Sequence, residues 1–176
     1  VEGRFNDAER YYTSFNSNTL MKPIKIIRYS RVDKKQCSLT ALEGRADLKF
    51  HNEKAIGKVD FNGCVLLHPD GVELSEADKD KSIILVDAHW KKAMKIVTQL
   101  EENYELERRG ITGFSTAFPR TKGLKGDPVN GLRSCECLWV VKKLLGERDD
   151  SLLENYYFRE EFFERNKEKI AVLEKL

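Results

Sequence analysis

No stretch of the 176-residue chain is apolar for more than a few residues, so none is long enough to cross a bilayer as a helix. The opening run V-E-G-R-F-N-D-A-E-R is too polar for a secretory leader. Cysteine is scarce: Cys37, Cys64, Cys135 and Cys137 are four in all, without a C-x-x-C pair. That spacing argues against a disulfide framework and against a four-ligand zinc site, and a reducing, cytoplasmic setting is the expectation. Cys135-x-Cys137 reads as two small residues on a packed helix rather than half a metal site, and no metal is expected. Glycine never falls into G-x-G-x-x-G or G-x-x-x-x-G-K-[ST], which removes the usual dinucleotide and Walker-type sites. A G-x-S-x-G elbow is absent too, and with it a common serine nucleophile. There is no internal repeat and no low-complexity tract.

What is present is an ordinary globular mixture, 40% hydrophobic and 34% charged, in a length that suits one domain or two small ones sharing a core. The net charge of +2 hides an uneven distribution. Residues 21–58 hold ten Lys or Arg against four Asp or Glu, and residues 120–146 hold six against two. The stretch between them holds seven against eleven, and the tail from 147 holds six against nine. Two basic segments of this kind suit a polyanion such as RNA, or are simply solvated surface.

The chain is organised around Ser82 to Lys92, S-I-I-L-V-D-A-H-W-K-K. Ile83 to Val86 is a short aliphatic run, as in a parallel strand buried on both faces. It ends on Asp87 and leads into a helical pattern in which Trp90, Ala93, Met94, Val97 and Leu100 share one face. A carboxylate at that strand end sits where open α/β sheets place their ligand crevices, although spacing alone favours a helix cap. Strands are also expected at about 24–29, 59–67 and 110–117, with a turn at His68-Pro69-Asp70-Gly71. Helices are expected at about 38–44, 89–102, 132–145 and 151–175, and residues 50–58 read as a polar connection. A long loop rich in Pro and Gly precedes the helix at 132, and long irregular loops are often functional.

Three separated pieces line up in order: Leu67-His68-Pro69 with Leu74-Ser75-Glu76-Ala77-Asp78, then Val86-Asp87-Ala88-His89-Trp90, then Asp127-Pro128-Val129-Asn130-Gly131-Leu132-Arg133-Ser134-Cys135-Glu136. Together they resemble the aminocarboxypropyltransferases that modify RNA. The ribosomal RNA enzymes of that group have an L-S-P turn, an S-P-A-D segment, a D-C-S-W strand end and an N-P-V-N-Y-G loop. Asp33-Lys34-Lys35-Gln36-Cys37-Ser38 is similar to their D-P-K-K-C-T. The DTW-domain tRNA enzymes share the D-x-x-W strand end, and Pro119-Arg120-Thr121 is similar to their Pro-Arg loop. The likeness spans roughly residues 30–145; His89 stands in place of a small hydroxyl residue, and the tyrosine of the Asn-Tyr-Gly loop is missing.

The resemblance implies an α/β, SPOUT-like, trefoil-knotted parallel sheet with flanking helices. Residues 1–58 would form a small N-terminal α/β segment and 59–176 the cofactor-binding domain. The implied cofactor is S-adenosylmethionine, and the implied reaction moves its 3-amino-3-carboxypropyl arm to a uridine or pseudouridine of ribosomal RNA or tRNA. Asp87 would act as base or orient the attacking imide, a role typically worth about 10²–10⁴-fold. Leu67, Pro69, Trp90, Asn130, Gly131, Leu132 and Glu136 would border the cofactor. For Trp90 the alternative is a core anchor, and for Glu136 a helix cap. Lys34, Lys35, Arg120, Lys122 and Lys125 are candidates for RNA phosphates. The expected partner is RNA, with no membrane, and the chain is expected to be a monomer. The rival readings are a SPOUT-like RNA methyltransferase and a non-catalytic RNA- or ribosome-binding module.

Overall fold

The computed structural model describes residues 21–35, 37–119 and 131–175. Five strands form one all-parallel sheet in the order β2-β1-β4-β3-β5. They are β1 Ile24–Arg28, β2 Leu48–Asn52, β3 Val65–Glu73, β4 Ile83–Asp87 and β5 Glu107–Gly110. Three helices flank it: α1 Trp90–Asn103, α2 Ser134–Leu144 and α3 Arg159–Leu173. The segments on either side of residue 58 share this sheet, because β1 pairs with β2 on one side and β4 on the other.

The period-2 geometry of the two central strands divides their side chains between two cores. Ile24, Ile26, Ile83 and Leu85 face the larger core with Leu138, Trp139, Val141 and Phe162 of α2 and α3. Ile27, Ile84 and Leu66 face the smaller one, closed by Ile96, Val97 and Leu100 of α1. Burial on both sides explains why β4 reads as an unbroken aliphatic run. At the strand ends this alternation leaves Arg28 and Asp87 on the α2 and α3 side.

Several expectations are corrected. Residues 50–58 are not merely a connection: β2 is an edge strand there, burying only Leu48 fully, so its L-K-F-H-N sequence carries little apolar signal. β5 ends at Gly110 instead of beginning there, because E-R-R-G is polar at the opposite edge. The His68–Gly71 turn signature lies inside β3, as an irregularity in pairing with β5 between Leu67 and Val72. A Cβ at Gly71 would run into the backbone of Arg109, which is why the close approach falls on glycine. The helix expected over 151–175 is broken into a 3-10 turn at Asp150–Leu153 and α3, and that over 38–44 shrinks to a 3-10 turn at Thr40–Leu42.

Candidate active site

The parallel register sets Arg28 directly beside Asp87, so a cation and an anion end neighbouring strands together. Asp87 is buried at 6% exposure and Arg28 at 8%. Arg28 Nε donates to Asp87 Oδ2 at 3.0 Å. The Cys37 thiol donates to the same oxygen at 3.4 Å, and Ser134 Oγ, at the first turn of α2, donates to Oδ1 at 2.8 Å. Three separate segments therefore meet on one carboxylate. The guanidinium also pairs with Glu43 and lies over the Phe50 ring, 4.6 Å from its centroid. Burial opposes the charge on Arg28, but the hydrogen bond and the field of Asp87 hold its pKa above the ordinary value. Burial, then the Asp87 charge, pushes the Cys37 thiol up, so it stays a protonated donor.

Asp87 does not cap α1. His89 is the N-cap residue, exposed and without a side-chain capping bond. The carboxylate turns toward the start of α2 instead. Held by Arg28, Cys37 and Ser134, the carboxylate is fixed in position at the carboxyl end of β4.

Two residues further into α2, Glu136 is fully buried. Its Oε2 accepts from Thr116 Oγ1 and Arg133 N, both at 2.7 Å, and its Oε1 from Ala117 N and Tyr156 Oη, both at 2.9 Å. Burial and then the neighbouring Glu136 push the Tyr156 phenol up, keeping it a donor. Glu136 thus caps α2 and ties residues 116–117 to residue 133. The Arg133 guanidinium adds a second tie, 4.0 Å over the Phe118 ring.

Of the residues expected at the cofactor, Leu67 and Leu132 are half-buried and pack on the larger core, and Gly131 is half-buried next to Leu132 in sequence. Trp90 is half-buried at the first turn of α1 and, among the described residues, belongs to neither apolar core. Of the expected α1 face, Val97 and Leu100 are buried with Ile96, while Ala93 and Met94 remain half-buried like Trp90. Pro69 is exposed within β3. Lys34 is exposed and paired with Glu43 at 3.3 Å; Lys35 is exposed. Asn130, Arg120, Lys122 and Lys125 lie outside the described residues.

Sequence reasoning passed over Arg28, Cys37, Glu43 and Ser134 as site residues. Cys37 and Ser134 did stand within the pieces quoted for the resemblance. Arg28 carried no local signal beyond being the polar end of an apolar strand, and its pairing with Asp87 exists only once the register is known. Cys135, next to Ser134, is fully buried, and burial pushes its thiol up to about 11, which suits a packing residue.

Fold and site together define a parallel α/β protein with a charged centre at the carboxyl edge of its middle strands. One solved structure sharing this fold is the SAM-dependent rRNA:acp-transferase Tsr3 from Vulcanisaeta distributa. It superposes with a TM-score of 0.63 at 16% identity, over 86% of this chain and 82% of that one. No family model matches the chain, and no curated protein matches it in sequence.

Proposed function

We propose that the protein transfers the 3-amino-3-carboxypropyl group of S-adenosylmethionine to a uridine-type base in RNA, within a SPOUT-like, knotted fold. The observation that carries this reading is the Asp87 centre: a buried anion, held between Arg28 and Ser134 at the carboxyl end of β4. The fold shared with an rRNA acp-transferase supports it. The residues present fit such a cofactor. A fixed carboxylate suits a sulfonium cation, and the half-buried indole of Trp90, outside both cores, suits a planar ring. Leu67, Gly131 and Leu132 would form the apolar and backbone walls, with Pro69 and Asn130 at their rim. Glu136 would act indirectly, by fixing the backbone at 116–117 and 133.

Bound S-adenosylmethionine supplies a carbon activated by its neighbouring sulfonium, so that a ring nitrogen gains the arm and methylthioadenosine departs. The work of this chain is positioning. Both Asp87 oxygens already accept hydrogen bonds, which fixes the carboxylate plane; Oδ2 takes two and Oδ1 one, so the further lone pair is on Oδ1. Through that lone pair Asp87 would orient the imide N–H of the base and receive or pass on its proton. Arg28 keeps the carboxylate from turning away, and Ser134 fixes its second oxygen.

Mass spectrometry of nucleosides digested from RNA incubated with protein and S-adenosylmethionine tests the reading. The expected product carries the aminocarboxypropyl mass on a uridine or pseudouridine, and Asp87→Ala lowers its rate about 100-fold or more. A methyl-mass product would identify a methyltransferase instead. Equal product from wild type and Asp87→Ala would remove Asp87 from the mechanism.

A further inference from the structure

The cations of this molecule fall into two populations. Every Lys and Arg of β5, α2 and α3 has a carboxylate within 3.6 Å: Arg108, Arg109, Lys142, Lys143, Arg159, Arg165, Lys167 and Lys169 all do. Among the described residues the three lysines of α1 have none. Lys91 and Lys95 are exposed without an ionic partner, and Lys92 meets only the Tyr29 ring, at 5.1 Å from its centroid. Exposed and likewise without an ion pair among the described residues are Arg31, Lys54, Lys22, Lys35, Lys49 and Lys58. The acid nearest in sequence to Lys54, Glu53, is held by the Ser30 backbone N–H at 2.7 Å and by its hydroxyl at 2.6 Å.

Arg31, Lys54 and the α1 lysines are set apart from the rest because the segments that carry them are joined in space. Tyr29 N donates to the carbonyl of Asp87 at 3.1 Å, and the Tyr29 ring meets His89 edge-on at 6.2 Å. The Tyr29–Lys92 contact links the chain after β1 to α1, and the Ser30–Glu53 bonds link it to the chain after β2. Arg31, Lys54, Lys91, Lys92 and Lys95 therefore ring the carboxyl ends of β2, β1 and β4, the edge on which Asp87 sits. A folded chain that neutralises the cations of two helices and leaves those of the third open keeps a positive track there.

We infer that this track, centred on Lys91 and Lys95, binds the phosphate backbone of the RNA whose base is presented at Asp87. The inference rests on the proposed function and names the surface by which that substrate would be held. Phosphate contacts fix the register of a bound nucleic acid without reading its sequence. They also make affinity fall with salt, by a log–log slope of about 0.7–0.9 per phosphate contact. Lys34, paired with Glu43, is less available for this than the α1 lysines.

The test is fluorescence anisotropy with a labelled uridine-rich RNA hairpin, titrated at several salt concentrations. The variants are Lys91→Glu with Lys95→Glu and, as a control of equal charge change, Lys167→Glu on α3 with Lys175→Glu just beyond it. The Lys91/Lys95 double variant is expected to bind about tenfold or more weakly, with a salt slope lower by about one to two; the control is expected to stay within about twofold of wild type. Equal loss in both proteins would reduce the effect to net charge and overturn the track, as would no loss in the double variant. Wild-type binding to vesicles of anionic phospholipid with none to the hairpin would overturn it in favour of a membrane surface. Calorimetry with S-adenosylmethionine separates this inference from the reading beneath it. Unchanged cofactor binding in the double variant is expected, whereas absent binding in wild type would sink the transferase reading and leave the RNA track standing on its own data.

Discussion

At the scale of single residues, the candidate site depends on two buried carboxylates that are satisfied in different ways. Asp87 is balanced by a cation, and Glu136 by four neutral donors. Removing one partner from a buried ion pair leaves the other charge uncompensated, so Arg28→Met is expected to cost about 3–5 kcal/mol in urea unfolding. Arg28→Lys keeps the charge and is expected to cost much less. Glu136→Gln is nearly isosteric yet turns one acceptor into a donor facing donors. At about 1.5–3 kcal/mol for each hydrogen bond to a charged group, it is expected to lose about 3 kcal/mol. A loss below half that would mean that the ties from residues 116–117 and 156 contribute little. Legibility follows the same division. Asp87 was legible because a polar residue ending an aliphatic run is a local pattern, whereas Arg28 became visible only through strand pairing. Glu136 read equally as cap or pocket wall, and its partners at 116, 117 and 156 come from segments no local pattern could join.

At the scale of elements, α1 is built against its own dipole. Its first turn contains Lys91 and Lys92, no acid, and no side-chain cap from His89. Cations near a helix N-terminus are unfavourable by about 0.3–1 kcal/mol each. Lys91→Glu is therefore expected to stabilise the fold by about 1 kcal/mol in thermal unfolding while weakening binding to RNA. Opposite signs in the two measurements would mark a lysine kept for function, since a purely structural role predicts one sign in both. A different electrostatic joint ties the β1–β2 connection to the end of α2: Asp47 pairs with Arg45 at 2.9 Å and Lys142 at 2.6 Å, and Asp149 pairs with Arg45. Arg45 chiefly, then Lys142, holds the Asp47 carboxyl well below its usual range despite burial. Burial works against the charge of Asp149, but the Ser151 hydroxyl and Arg45 outweigh it. Because both folded values lie below the unfolded ones, stability from this joint is present above about pH 4 and falls as pH drops further. Asp47→Asn is expected to flatten stability against pH below pH 4, checked by urea midpoints across that range.

At the scale of the whole molecule, the α/β class and the central strands could be read directly, since β1 and β4 are aliphatic on both faces. The edges could not: β2 and β5 are short and polar, and their identity comes from hydrogen bonding to inner strands rather than from burial. The same all-parallel wiring explains why the site lies where it does, since every strand delivers its last residue to one edge. That placement makes a charge-specific prediction about the molecule as a ligand-binding unit. If Asp87 faces a sulfonium, S-adenosylmethionine and the neutral thioether S-adenosylhomocysteine must respond differently to its loss. Ligand at about 100 times its Kd stabilises a folded protein by about 2.7 kcal/mol, or roughly 5–10 °C in Tm for a chain of this size. Wild type is expected to show such a shift with either ligand, and Trp90→Ala to lose both shifts together, because the indole would contact the adenosine common to the two. Asp87→Asn is expected to weaken S-adenosylmethionine by about tenfold, near 1.4 kcal/mol, and S-adenosylhomocysteine hardly at all. Arg28, left with Glu43 as its remaining anionic partner, would add repulsion for the cation only. Equal losses for the two ligands would place Asp87 away from the sulfur and confine it to holding the strand ends together.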